Sequence, residues 1–379
     1  MMAVGRREIT AAIRVMMRGQ LARYGGPGTS STQQFEQELS ASMGVKHSLA
    51  VNSGTSALIC ALAASGIGPG DEVLVPAYTW VSSAAAPLAV GAVPILVEIN
   101  ESLTIDPVDL KAKITPYTKA IIPVHMLNVV CDMDPILQLA AEFGLVVVED
   151  ACQAIGAQYK GQRVGSIGHV GTFSFQQNKN LVGGEGGAVL TNDARLFARA
   201  GMYHDVGSYT REQRFSTDEP LFVGLNLRMP EMTAAILRPQ LKRLDKQLAQ
   251  RRRRRLAILE EISNVSGLVP SIHHSPIEAT GLTISAEDVE RAKSFAAVSG
   301  VNRLIETGRH VYSNWQSILA QRSFDPRMDP YKWAHRTIEQ TADCCPRTLS
   351  ILERSCSVSC DPQIPMPMIR RMARELSKR

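Results

Sequence analysis

DMDPILQLAAEFGLVVVEDACQAIGA, residues 132–157, holds a helix, a turn and a strand in close succession. Residues 132–143 read as a helix that stops at Gly144. Residues 145–148 are an unbroken apolar run ending in Glu149 and Asp150. A strand without a polar face is buried on both sides, the condition of a parallel sheet covered by helices. The same alternation extends in both directions. Strands are predicted over residues 48–51, 73–75, 93–99 and 119–124. Helices are predicted from Leu58, from a Thr79 cap to about Val90, and over 107–114 and 194–203. Ser31 and Gln34 read as a capping box opening a helix over 32–43. This pattern predicts an α/β domain with a mainly parallel sheet. Residues 204–219 read as a polar loop, and a long helix follows within 223–245. From about Ile262 short strands and helices of mixed polarity predict a smaller domain. The expected division is 1–245, a large domain with an N-terminal helix, and 246–379, a linker helix and small C-terminal domain.

In such sheets ligands bind beyond the carboxyl ends of the strands, and four segments fall there. Strand 48–51 runs into NSGTSAL, where Gly54 and Thr55 open a helix. The unpaired N–H groups and positive dipole end of that helix make an anion site, although Ser and Gly also serve plain turn geometry. Trp80 follows a strand end and either fills core or offers a flat face for stacking. Asp150 either caps the next helix or, with Gln153 one turn on, holds a ring nitrogen protonated. In GTFSFQQNKNLVGGEGGAVLTND, residues 171–193, Lys179 lies between an apolar run and Gly183, Gly184, Gly186 and Gly187. It is either a surface lysine or a nucleophilic amine, with the Ser174 hydroxyl in reach of an anion.

With 379 residues, 45% hydrophobic and 20% charged, the chain has the balance of an ordinary globular protein. A net charge of +5 suits anionic cofactors or substrates, and is too small and scattered for nucleic acid. The run Arg251 to Arg255 continues a helix with apolar Leu241, Leu244, Leu248 and Leu256, and reads as a solvated face. Seven cysteines without a secretory signal predict reduced thiols and a cytoplasmic location. Cys356 and Cys360 lack zinc-site spacing and a nearby histidine, so no metal is expected. Arg6, Arg7, Arg14 and Arg18 accompany no apolar signal core, which favours a docked N-terminal helix. The most apolar run, 81–97, is broken by Pro87 and Pro94, so no membrane span is expected.

Five motifs now stand in order: SGTSAL, PAYTW, VVVEDACQAIGA, SFQQNKNLVGGEGG and GLNLRMPEMTAAILRPQL. Together they resemble the DegT-type sugar aminotransferases, fold-type-I enzymes that use pyridoxal 5′-phosphate (PLP). The resemblance covers residues 25–245 and thins over the last third. It implies a three-layer PLP-transferase large domain and a smaller α+β C-terminal domain. Lys179 matches the family's Schiff-base lysine, Asp150 the carboxylate paired with the pyridinium nitrogen, and Gln153 the residue near the phenolic oxygen. Trp80 matches the aromatic stacked on the ring, and Gly54, Thr55 and Ser174 the phosphate cradle. Asn226 matches a residue that reaches the neighbouring subunit's phosphate, which implies a homodimer with shared sites.

The resemblance further implies an amino-acid donor, glutamate or glutamine, and a keto-sugar acceptor. Nucleotide-linked sugars are the commonest acceptors, with free keto sugars and cyclitol ketones as alternatives, in amino-sugar or antibiotic-type biosynthesis. Lysine at 179 separates the chain from the family's dehydratases, which carry histidine there. ETGRHVYSNW, residues 306–315, lies where the family places substrate-facing residues. Glu306, Arg309, His310 or Tyr312 is therefore expected to touch the substrate, the alternative being a surface loop with a structural Tyr and Trp. Two other classes remain: a non-catalytic PLP-binding regulatory protein, and a nucleotide-binding α/β protein. The chain has neither a GxGxxG turn nor a Walker lysine to support the latter.

Overall fold

In the computed structural model, which describes residues 4–24, 30–207 and 219–379, the Val- and Ile-rich runs pair into a seven-stranded sheet. Its strands are β1 (His47–Val51), β2 (Glu72–Pro76), β3 (Val93–Val97), β4 (Thr118–Ile121) and β5 (Val146–Asp150). A short hairpin, β6 (Gln158–Tyr159) and β7 (Gln162–Arg163), precedes the last two strands, β8 (Val170–Ser174) and β9 (Gly187–Thr191). The order is β1-β9-β8-β5-β4-β2-β3. Only β9 runs against its neighbours, so six strands deliver their carboxyl ends to one edge.

Alternate side chains point to opposite faces of a strand, and both faces are covered here. Leu74, Ile121, Val147 and Phe173 enter one core with Phe35 and Leu39. Val73, Val75, Ala120 and Val148 enter the other with Leu58 and Leu62. A second sheet, β10 (Leu268–Pro270), β11 (Thr283–Ala286), β12 (Val301–Arg303) and β13 (Ser355–Val358), is antiparallel in the order β10-β11-β13-β12. Ile258, Ile284, Phe295 and Ile369 lie in its own core. The segment between β12 and β13 returns to the large sheet, where Tyr312 and Trp315 join the core containing Val75.

Several local expectations shift. The cap of the helix Ser31–Met43 is Ser30, whose side chain accepts from Gln33 N, not Ser31. Thr79 does not cap the next helix, Ser82–Ala89; its hydroxyl is 2.7 Å from Ser83 Oγ instead. The long helix divides at Lys242 into Glu231–Leu241 and Leu244–Ile262. The arginine run is not a solvated face: Arg254 and Arg255 are buried, while Leu256 is exposed. Five consecutive residues at about 100° each sweep every face of a helix, so some of them must turn inward. Most of the polar loop expected over 204–219 lies outside the described residues. Among the described residues no helix is long and apolar enough to cross a membrane.

Candidate active site

The carboxyl ends of β1, β2, β5 and β8 open into a cavity of about 870 Å³. Gly54, Thr55, Trp80, Asp150, Gln153, Ser174, Lys179 and His310, all singled out from sequence, line it. Each arrives by a local route. β1 leads through Ser53, whose side chain caps the helix Gly54–Ala64 by accepting from Ser56 N. Gly54 and Thr55 precede the first intrahelical hydrogen bond, so their N–H groups are spare at a positive helix end. A Cβ on Gly54 would stand 2.7 Å from Ser174 Cβ and 3.1 Å from Cys152 Sγ. Only glycine lets the β8 end approach this closely.

Asp150 is the last residue of β5 and only 4% exposed. Ser83 Oγ donates to its Oδ2 (2.6 Å), and Cys152 N donates to its Oδ1 (3.1 Å). A hydroxyl donating to a buried carboxylate stabilises its charge by about 1.5–3 kcal/mol. Beneath it, Glu149 is fully buried and accepts from Gly165 N (2.7 Å), Ile167 N (2.6 Å) and Gly168 N (2.5 Å). Its Oε2 also lies 3.1 Å from His125 Nε2. The strand end that presents Asp150 is thereby anchored. Burial and the Asp150 charge push the neighbouring Cys152 thiol well above its ordinary value.

Lys179 sits in a turn whose N–H donates to Gln176 O (3.0 Å). The turn precedes Gly184, at φ 85°, and Gly187, where a Cβ would meet Ser53 O at 2.2 Å. The lysine is half-buried, and among the described residues no hydrogen bond or ion pair holds its amine. Opposite, Leu127 (φ 51°) and Asn128 (φ 63°) occupy the left-handed region, a strained backbone that surrounding bonds must hold. Gln153 Oε1 accepts from Leu127 N (3.3 Å), and Asn180 donates to Asn128 Oδ1 (2.8 Å).

The segment 306–315 reaches the cavity by backbone pairing with the turn after β2. Thr79 N donates to His310 O (3.0 Å), Val81 N to Arg309 O (3.2 Å), and Tyr312 N to Ala77 O (3.1 Å). This brings His310 to 5.1 Å and the Arg309 guanidinium to 5.5 Å from the Trp80 ring. Burial and the nearby Lys179 charge lower the His310 pKa. Two substrate expectations are corrected. Tyr312 is fully buried in core, and its hydroxyl accepts from Cys345 N (2.9 Å). Glu306 is paired to Arg303 at the surface and does not line the cavity. Asn226 is exposed and also outside this cavity, bridged to Asp205. Ser83 and Arg251 were missed from sequence. Ser83 had a readable signal, a hydroxyl one helical turn after Thr79 in YTWVSSA.

The arrangement offers spare N–H groups at a helix start, a flat indole, a buried carboxylate and an unpaired amine. It fits a phosphorylated, aromatic, carbonyl-bearing cofactor. A model of the DegT/DnrJ/EryC1/StrS aminotransferase family matches residues 4–367. The chain belongs to this family. It is a PLP-dependent transaminase with the fold of PLP aminotransferases. Among its relatives, 3-amino-5-hydroxybenzoate synthase of Amycolatopsis mediterranei is 34% identical over 357 residues, 91% of this chain and 87% of that one. GDP-perosamine synthase of Caulobacter vibrioides is 45% identical over 221 residues, 58% of each chain. The crystal structure of a 3-amino-5-hydroxybenzoic acid synthase superposes with a TM-score of 0.81 at 29% identity, covering 99% of this DegT-family chain and 96% of that one.

Proposed function

We propose that this transaminase moves an amino group from glutamate or glutamine to a nucleotide-linked keto sugar, in amino-sugar or antibiotic-type biosynthesis. One observation carries the assignment of roles: a lysine amine with no hydrogen bond or ion pair among the described residues shares a cavity with a buried aspartate held by a serine hydroxyl. When bound, PLP supplies an electron sink for the bond electrons released at the donor's α-carbon. Lys179 would hold the cofactor through its amine, and that amine would move the proton to and from that carbon. Asp150, oriented by Ser83, would keep the ring nitrogen cationic. Gly54, Thr55 and Ser174 would hold the phosphate, Trp80 would cover the ring, and Gln153 would serve the phenolic oxygen. Arg309 and His310, beside Trp80, are placed to meet substrate.

A nucleotide-linked acceptor is supported by GDP-perosamine synthase, whose name carries a nucleotide. We further propose a homodimer in which Asn226, exposed and outside its own cavity, serves the neighbouring site, and a domain division near residue 245. The assignment is tested by the visible spectrum of the purified holoenzyme. Adding glutamate or glutamine should bleach the lysine-bound absorbance, and a nucleotide-linked keto sugar should restore it. A spectrum unmoved by any amino acid would refute it.

A further inference from the structure

Two adjacent thiols, Cys344 and Cys345, stand at the start of the helix Pro346–Glu353, and neither lines the cavity. Both are free; Cys345 is fully buried and Cys344 half-buried. Thr341, Ala342 and Asp343, which lead into Cys344, are exposed, so a small molecule can approach it. The main chain of the pair is fixed: Cys344 N donates to Thr341 O (3.2 Å) and Cys345 N to the Tyr312 hydroxyl (2.9 Å). Behind the pair, the Lys113 ammonium donates to Leu96 O (2.7 Å) and lies 3.9 Å from Cys345 Sγ. The acidic groups around the pair are each engaged elsewhere. Asp109 is 2.9 Å from Lys113 Nζ, and Glu98 accepts from Arg347 N (3.0 Å) and Thr348 N (2.7 Å). Asp106 pairs with Arg347, and Asp343 accepts from the Thr341 hydroxyl (2.5 Å). Hydrogen bonding by the Cys345 thiol draws Cys344 down to about 7, with burial opposing and Lys113 assisting. The same bond and burial hold Cys345 high.

The other thiols contrast with Cys344. Cys60, Cys356 and Cys360 are buried and pushed by burial up to about 12, 11 and 12. Cys131 is buried with its Sγ donating to Val124 O (3.2 Å). Cys152 lines the cavity and is held well above its ordinary value. A thiol exchanges best with a disulfide when it is reachable and ionises near the ambient pH. We propose that Cys344 is a thiol–disulfide exchange site for low-molecular-weight disulfides, activated by the Cys345 thiol and the Lys113 ammonium. The Cys344 proton passes to water, and the thiolate attacks one sulfur of the disulfide. The new S–S bond to Cys344 forms as the old S–S bond breaks, and the second sulfur leaves as a thiolate with the electron pair. Cys344 is thereby oxidised and the departing half reduced, and a small thiol reverses the step. The site stands apart from the transamination roles and does not depend on them.

The test is reaction of the PLP-loaded enzyme with dithiodipyridine, a disulfide that releases a coloured thione as it exchanges, with peptide mass spectrometry to locate the adduct. One equivalent should go rapidly onto Cys344, at a rate that rises with pH about a midpoint of about 7, and a small thiol should remove it. Cys344→Ser should lose this phase. Cys345→Ala, which removes the hydrogen-bonding thiol, should move the midpoint up toward the ordinary thiol value of about 8.5 and slow exchange at neutral pH by about threefold. Lys113→Met should move the midpoint the same way by less, and keeps the test open should Cys345→Ala misfold. No adduct on Cys344, an adduct formed first on Cys152, or an ordinary midpoint in the wild type overturns the site. A midpoint unmoved in both variants overturns it too, since Cys344 would then owe nothing to its neighbours.

Discussion

The two ends of the cavity differ in how well their polar groups are matched. At the sheet end Asp150 has Ser83, Glu149 has three backbone donors and His125, and the strained Leu127–Asn128 turn is held by Gln153 and Asn180. At the other end Arg251 and Thr280 have nothing among the described residues. A satisfied network fixes geometry before any ligand arrives, whereas unmatched groups wait for the ligand to complete them.

The largest effect should come from removing the amine around which the sheet end is built. Lys179→Ala should lose turnover by at least about a thousandfold together with the visible absorbance of the bound cofactor. Near-normal turnover in that variant would break the contrast at once. Next, Glu149→Ala should cost about 3–5 kcal/mol in urea denaturation, because it strips His125 and three backbone N–H groups of their buried partner. Asp150→Asn keeps the shape and loses the charge. Steady-state assays should show kcat down by roughly a hundredfold, the scale of one preorganised electrostatic contact.

Ser83→Ala sharpens the comparison further, since Ser83 does not line the cavity and reaches it through Asp150. Its kcat should fall by about tenfold with little change in KM, and Ser83→Thr should restore much of the loss. A purely structural serine would lower stability without this split. The smallest effect is expected at the opposite end. Arg251→Met should leave the melting temperature unchanged or raised, because Arg251 makes no hydrogen bond or ion pair among the described residues and a fitted apolar chain removes a desolvation cost. A fall comparable to that of Glu149→Ala would show that Arg251 is structurally matched after all.

The sheet was legible because its signals are local. Unbroken apolar runs such as 145–148, alternating with helical segments, allow few readings other than buried parallel strands. The sheet end of the site was legible for the same reason: Gly54, Trp80, Asp150 and Lys179 each sit within a few residues of a strand end. The rest depended on tertiary pairing. Nothing near residue 309 foretells that its carbonyl accepts from Val81 N. Tyr312, polar in a polar segment, looked substrate-facing, yet its hydroxyl serves Cys345 N in the core. The arginine run resembled a solvated face because charge was read without helical phase. The opposite end of the cavity draws on residues 251, 280, 302 and 357–361, too far apart in the chain to form a motif.

One measurement addresses the central claim most directly: borohydride reduction of the PLP-loaded enzyme, then proteolysis and peptide mass spectrometry. The account predicts a stable pyridoxyl adduct on the peptide containing Lys179. An adduct on a different lysine, or none on a fully loaded enzyme, would contradict it.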